Sequence, residues 1–383
     1  MKANLIKFGV LMIVSMFVLA ACAGAGSDDE IRIGMIAPLT GGASVFGIAA
    51  SQGAELAFDQ VNEAGGLLDL PVNFLIRDDM HQPAESLTVY DRLVNQDNVI
   101  AIVGPVTSGP ANAVAAAAAA NRTPMISPTA THADVTRHGD FMFRACFLDA
   151  YQAYTMAVFA RQNLGATTAA IIFDQGMAYS EGLATNFRAY FESMGGTIVA
   201  NEAYMSGEVD FRTQLTSIRA TNPEVLFVPD YFTVVALIAA QVRELEIDAT
   251  LLGADGWEGV LGMVDDPSIL DGAFFSAHFA ADDPNPLVQS FVQSYTERFG
   301  VAPNSFAALG YDAARILAQA IQAAGSTDNN AIINAMQNIN FNGVTGNITF
   351  DEFGDPIKDI VVIALESIGN EGSARLYHRF AAR

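Results

Sequence analysis

The sequence predicts an α/β protein made of two doubly wound lobes. Short apolar runs of strand length alternate with longer segments of helix-forming composition, and that alternation runs twice, over residues 31–127 and again over 151–253. The 383 residues are 51% hydrophobic and 16% charged, against roughly 25% charged in an ordinary soluble domain. Such a chain carries enough apolar side chain to cover parallel strands on both faces. The length fits two domains at roughly 100–200 residues each.

Strands are expected at Ile31–Ala37 (IRIGMIA), Val72–Arg77 (VNFLIR), Val99–Val103 (VIAIV) and Pro124–Ser127 (PMIS), with helices over 48–64, 83–96 and 110–121 between them. Right-handed crossovers then give a parallel sheet with helices on both faces, a Rossmann-like arrangement. The second series runs from helix 151–164 to strand 169–173 (AAIIF), helix 180–194, strand 197–203, helix 210–221, strand 225–229 (VLFVP), helix 232–245 and strand 250–253 (TLLG). Beyond it, helices over 286–299, 303–324 and 329–338 precede short strands at 346–350 and 360–365. These do not form a third lobe, so they must complete the first two, and the chain crosses between lobes more than once. No internal repeat is evident, and the alanine run Val114–Ala120 reads as a slim helix suited to close packing.

Lys2 and Lys7 precede an uncharged stretch, Phe8–Ser27, whose apolar part ends at Cys22. This is the form of a secretory signal, ranked ahead of a permanent membrane helix because small residues surround the processing site. Leu19-Ala20-Ala21-Cys22 resembles the lipobox of bacterial lipoproteins, which implies cleavage before Cys22 and a lipid on its thiol. Residues 1–21 are then a leader and 22–30 a tether, and losing both lysines takes the net charge from -23 to -25. An acidic chain lacks the clustered cations that nucleic-acid binding requires. Apart from Cys22 only Cys146 is present, which leaves no disulfide framework and marks Cys146 as a buried apolar residue.

Catalytic signatures are missing: there is no P-loop, no dinucleotide fingerprint, no H-E-x-x-H and no G-x-S-x-G. Ser180, in Ala178-Tyr179-Ser180-Glu181-Gly182, reads as a helix N-cap. The histidines, His81, His132, His138, His278 and His378, share no metal-binding spacing and read as surface or turn residues. Asp351-Glu352-Phe353-Gly354-Asp355 lacks the calcium-loop pattern and reads as a solvated turn. No enzyme activity, cofactor or metal is expected.

What remains are loops at the carboxyl ends of strands, where open α/β sheets bind ligands and helix N-termini attract anions. Gly104-Pro105-Val106-Thr107-Ser108-Gly109-Pro110 leads from a strand into a helix, and Ser127-Pro128-Thr129-Ala130-Thr131 follows the next strand. Thr107 or Ser108, and Thr129 and Thr131, have hydroxyls to offer an anion; Ser108 equally suits a plain helix cap.

The segments IRIGMIAPLTGGASVFG, AFDQVNEAGG, the pair Asp78-Asp79, GPVTSGPANA and SPTATHADVT follow one another in an order and spacing that resemble the branched-chain amino acid binding proteins. These are type I periplasmic binding proteins that deliver ligand to ABC transporters. The likeness continues through FDQGMAYSEGLA, VDFRTQLTSIRATNPEVLFV, LLGADGW and GNITFDEFGDP, so it spans nearly the whole chain after the leader.

The resemblance implies two lobes joined by a three-strand hinge, closing around an amino acid, with crossings near 145–149, 276–281 and 348–352. It implies an N-terminal lobe of 31–146 plus 280–348 and a C-terminal lobe of 147–279 plus 349–383. Ser108, with Thr129, Ala130 and Thr131, would hold the ligand carboxylate, and Asp255 its ammonium. Tyr179 and Tyr231 would pack over the ligand, Phe46 would line its side-chain pocket, and Trp257 would form a second wall. The partners implied are an apolar amino acid, ABC permease and ATPase subunits, and the membrane through the lipid; a monomer is expected. The same fold also suits binders of amides, urea or aromatic carboxylates, and the sensing lobes of receptors. Two departures stand out. His81 and Thr107 occupy the places of a family disulfide, and Asp255 that of a glutamate.

Overall fold

The computed structural model describes residues 30–368 and 371–382. Cys22, the leader and nearly all of the tether lie outside the described residues. A first sheet holds β1 (Ile31–Ala37), β2 (Val72–Asp78), β3 (Ala101–Val103), β4 (Met125–Ser127) and β5 (Met142–Arg144) in the order β2-β1-β3-β4-β5, all parallel. Its helices are α1 (Ser44–Glu63), α2 (Pro83–Asn95) and α3 (Ser108–Ala118).

The chain then enters the second lobe through α4 (Asp149–Val158), β6 (Thr168–Asp174), α5 (Ala178–Ser193), β7 (Thr197–Tyr204), α6 (Arg212–Thr221), β8 (Val225–Phe227), α7 (Phe232–Glu244), β9 (Thr250–Gly253) and β10 (Ala273–Ala277). Strands β7-β6-β8-β9-β10 repeat the order of the first sheet, and β13 (Ile360–Ile368) and β14 (Glu371–Phe380) extend the far edge antiparallel. Between β10 and β13 the chain revisits the first lobe with α8 (Pro286–Phe299), α9 (Ser305–Ala324), α10 (Asn329–Gln337) and the small hairpin β11 (Phe341–Gly343)–β12 (Gly346–Ile348). It therefore passes between the lobes through 145–148, 278–285 and 349–359.

The alternating strands and helices fall where the sequence places them. Four strands were not expected: β5, β10, β11 and β14. Strands β5 and β11 are three residues long, too short to show a period, while β14 is exposed along most of its length and so has no apolar face to read.

Strand order matters for function, because each sheet changes winding direction between its first and third strands. In the first lobe that point lies between β1 and β3; in the second, between β6 and β8. The loops leaving these strands open the crevice in which a doubly wound sheet takes its ligand. At the first of them Gly104 has φ +114°, and a Cβ there would lie 2.4 Å from the Ile36 carbonyl oxygen of β1. Only glycine lets the loop sit this close to the neighbouring strand.

Helices α1 and α9 cross through reciprocal glycines. A Cβ on Gly53 would lie 1.9 Å from the Ala307 carbonyl oxygen, and one on Gly310 would lie 2.0 Å from that of Ala50. Gly310→Ala must push the helices apart, and the expected cost is about 2 kcal/mol. It should appear as a lower urea midpoint with an unchanged slope.

Candidate functional site

One cavity lies between the lobes and is lined by Phe46, Val106, Thr107, Ser108, Thr129, Thr131, Tyr179, Tyr231, Asp255, Gly256 and Phe306. Ser108 is the first residue of α3, whose opening N–H groups have no helical carbonyl to meet. The Ser108 hydroxyl oxygen accepts from the His132 N–H at 3.3 Å, which leaves its proton to donate. The two strand-end loops are stitched together here. Thr129 donates its hydroxyl to the Val106 carbonyl at 2.5 Å, and Ser127 donates to the Pro105 carbonyl at 2.6 Å.

Arg144, fully buried at the end of β5, holds the second loop from behind. It donates to the carbonyls of Ala130 at 2.8 Å and His132 at 2.9 Å and to the Thr136 hydroxyl at 2.9 Å. Its Nε lies 2.6 Å from Asp355 Oδ1, and Asp355 also pairs with Arg137 at 2.9 Å. The turn expected to be solvated thus delivers a buried carboxylate. Asp351 stays on the surface and accepts the N–H groups of Phe353 and Asp355 at 2.8 and 2.9 Å, which bends the chain so that Asp355 points inward.

At the opposite end, Asp255 opens a short 3-10 turn after β9 and is 3% exposed. Its Oδ1 accepts from the Tyr179 hydroxyl at 2.8 Å and the Gln152 amide at 3.0 Å, and His278 Nε2 lies 3.1 Å from Oδ2. Burial pushes the His278 ring down to about 4 despite the pull of Asp255, so at neutral pH the ring is uncharged and donates through Nε2. Three of the roughly four lone-pair positions of a carboxylate are thereby filled, and one remains toward the cavity. Tyr179 also accepts the Gly256 N–H at 2.9 Å, and burial next to Asp255 raises its phenol, keeping it a neutral donor.

Aromatic rings wall the space between these ends. Phe46 stacks on Phe306 with centroids 4.1 Å apart and meets Tyr231 and Phe232 of the second lobe edge-on at 5.1 and 5.0 Å. At the places that hold a disulfide in the family, His81 Nδ1 lies 3.0 Å from the Thr107 hydroxyl, so a hydrogen bond joins the two loops.

Phe46, Ser108, Thr129, Thr131, Tyr179, Tyr231 and Asp255 all line the cavity. Ala130 and Trp257 do not. The Ala130 N–H, expected to face a carboxylate, donates to Ser127 Oγ at 3.0 Å. Trp257 is fully buried beneath β9: its indole N–H donates to the Val228 carbonyl at 2.8 Å, and its ring fills the space a Cβ on Gly253 would take. Ser180 is not a cap either, since it lies inside α5 and accepts the Asp174 N–H at 2.9 Å. His278, expected at the surface or in a turn, is fully buried against Asp255. Sequence reasoning also missed Phe306, Gln152 and Asp149. Only spatial contact reveals them, because Phe306 and Gln152 sit within helix patterns that look like ordinary core and Asp149 falls in a predicted crossing. Among the described residues, no cluster of His, Cys, Asp or Glu could hold a metal ion, and no helix is long and apolar enough to cross a membrane.

A helix N-terminus and hydroxyl on one lobe, a buried carboxylate on the other, and an aromatic-walled cavity between them have the form of a two-lobed small-molecule binding protein. The chain belongs to the periplasmic binding protein family, whose profile matches residues 30–370. It is 31% identical to the Leu/Ile/Val-binding protein BraC3 of Rhizobium johnstonii over 330 residues, covering 85% of this chain and 89% of that protein. Its fold matches the crystal structure of the leucine binding protein LivK from Thermotoga maritima with a TM-score of 0.85, at 32% identity over 92% of this chain and 99% of the other. The branched-chain amino acid transporter substrate binding protein LivJ from Streptococcus pneumoniae, solved in complex with isoleucine, matches with a TM-score of 0.84 at 28% identity, covering 91% and 99% of the two chains.

Proposed function

We propose that the protein is the extracytoplasmic solute-binding component of an ABC importer, that it holds a small apolar α-amino acid between its lobes, and that Cys22 tethers it to the membrane. The observation that carries the ligand class is the placement of Ser108, from one lobe, and Asp255, from the other, in the lining of one cavity. An α-amino acid presents a carboxylate and an ammonium on the same carbon, and charge-assisted hydrogen bonds to both ends orient it while the side chain meets aromatic rings. The Phe46–Phe306 stack and the edge of Tyr231 offer no charged partner to a ligand side chain, which favours branched-chain and other apolar amino acids. The N-terminal lobe comprises 31–146 plus 280–348 and the C-terminal lobe 147–279 plus 349–383; binding closes one on the other about the three crossings. The protein acts as a monomer and leaves the ligand chemically unchanged.

Calorimetric titration with the common amino acids, short amides, urea and benzoate tests this reading. The expected result is saturable one-to-one binding of isoleucine, leucine or valine, and loss of at least tenfold in affinity in Ser108→Ala. Tight binding of an amide or urea, unaffected by Ser108→Ala, would instead assign the site to a ligand without a carboxylate.

A further inference from the structure

We propose that Asp149, a buried acid on the first crossing, is a positioning residue that links the two ends of the ligand site and gives up a proton when an ammonium group docks at Asp255. The inference rests on the amino acid reading of the cavity. Asp149 begins α4, is 3% exposed, and does not line the cavity. Its N–H donates to the Thr131 carbonyl at 3.0 Å, which ties it to the carboxylate-binding loop. Its Oδ1 accepts one N–H of the Gln152 amide at 3.0 Å, and the same nitrogen donates to Asp255 Oδ1, also at 3.0 Å. One amide group thus bridges the two carboxyl groups. Gln152 cannot turn over, because its oxygen accepts from the Ser276 hydroxyl at 2.9 Å and the Asp255 N–H at 3.3 Å.

The outer oxygen of Asp149, Oδ2, is buried without a hydrogen-bond partner among the described residues. A charged carboxylate left half-satisfied in this setting costs considerably more than a protonated one. Among the described residues, the cations nearby are engaged with other groups. Asp255 faces Asp149 across the amide, Tyr179 and Tyr231 add only neutral phenols, and Cys146 is a buried thiol held neutral. Arg144 acts on Asp149 at longer range but is paired with Asp355, His278 is uncharged and turned to Asp255, and Lys358 donates to Thr345 and the Ala145 carbonyl. Burial first, and then the charge of Asp255, lift the Asp149 carboxyl to about 7.

The sign follows directly. An ammonium at Asp255 cancels the charge that helps hold the proton on Asp149, so the acidity of Asp149 rises on binding. The bound state carries fewer protons, and affinity must increase with pH through the range of the free-state value.

Two measurements test this. In ligand-free protein, Asp149 is protonated in the fold and ionised in the unfolded chain, so its contribution to stability is complete below 3.8 and fades as pH rises through about 7. Wild type should therefore lose urea stability relative to Asp149→Asn between about pH 4 and pH 7 and level off above about pH 8, since the amide mimics the protonated acid at every pH. In wild type titrated with L-isoleucine at neutral pH, the binding heat should change with the ionisation heat of the buffer in the sense of proton release. The affinity should rise about five- to tenfold from about pH 6 to pH 8. Parallel stability profiles for wild type and Asp149→Asn, or an isoleucine heat independent of buffer, would overturn the proposal. The buffer comparison needs no variant, and the stability profile needs no ligand. Failure of every amino acid to bind would sink the assignment of the site itself while the stability profile still decides whether Asp149 carries a buried proton.

Discussion

Asp255→Ala should lose amino acid binding by a factor of about 30 to several thousand, on the order of 2–5 kcal/mol, with little change in fold. The reason is local. An ammonium that enters the cavity gives up its hydration, and Asp255 is the carboxylate that lines this space. The pocket already holds that carboxylate rigidly: Tyr179, Gln152 and His278 converge on it from α5, α4 and the segment after β10. Those donors fix its position without neutralising it, since all three are uncharged. Removing the side chain also leaves buried donors without an acceptor, so part of the loss will be paid by the free protein. Asp255→Asn separates the two effects. It keeps the volume and one acceptor oxygen but offers the ammonium no charge, and it should remain as stable as Asp255→Ala or more so while binding no better than tenfold above it. The measurement is calorimetric titration with L-isoleucine, paired with urea unfolding of each free variant.

The second large effect is structural. Arg144→Met should destabilise the protein by about 3–5 kcal/mol, because it removes the partner of a buried carboxylate and strips donors from a loop. Asp355 is 2% exposed, and with Arg144 gone it retains only Arg137 and the Thr136 hydroxyl. The carbonyls of Ala130 and His132 lose their donors at the same time. These carbonyls belong to the loop that presents Thr129 and Thr131, so any folded fraction should also bind ligand more weakly. Arg144→Met combined with Asp355→Asn should recover part of the stability, by lifting the uncompensated charge, but not the binding. Thermal unfolding of the variants with and without isoleucine checks both statements.

Most of the layer architecture could be read from the chain because each buried strand is a plain apolar run, as in Ile31–Ala37 and Thr250–Gly253. The edges could not. Strand β14 pairs with β13 through its backbone while presenting polar side chains to solvent, a pattern that sequence alone does not distinguish from a loop. The site divides along a similar line. Ser108, Tyr179 and Tyr231 sit at helix starts that follow strands at the two points where the winding reverses, and both topology and the family likeness lead to them. His278 and Asp149 escaped because their roles depend on contacts with Asp255 that span 23 and 106 positions of the chain, and no spacing rule reaches so far. Trp257 misled for the opposite reason. It is two residues from Asp255, but a 3-10 turn sends it beneath the sheet while Asp255 faces the cavity. Asp355 shows how burial can reverse a reading, since a run of acidic residues around a glycine has the composition of a surface turn and yet places one of them against Arg144.

The most direct test of the account is a crystal structure of the protein grown with L-isoleucine. The expected density lies in the cavity lined by Phe46, Ser108, Tyr231 and Asp255, with the ligand carboxylate within hydrogen-bond distance of the Ser108 hydroxyl and the first N–H groups of α3, and its ammonium on Asp255. Density that places the ammonium away from Asp255, or a cavity left empty while isoleucine binds elsewhere, would contradict it.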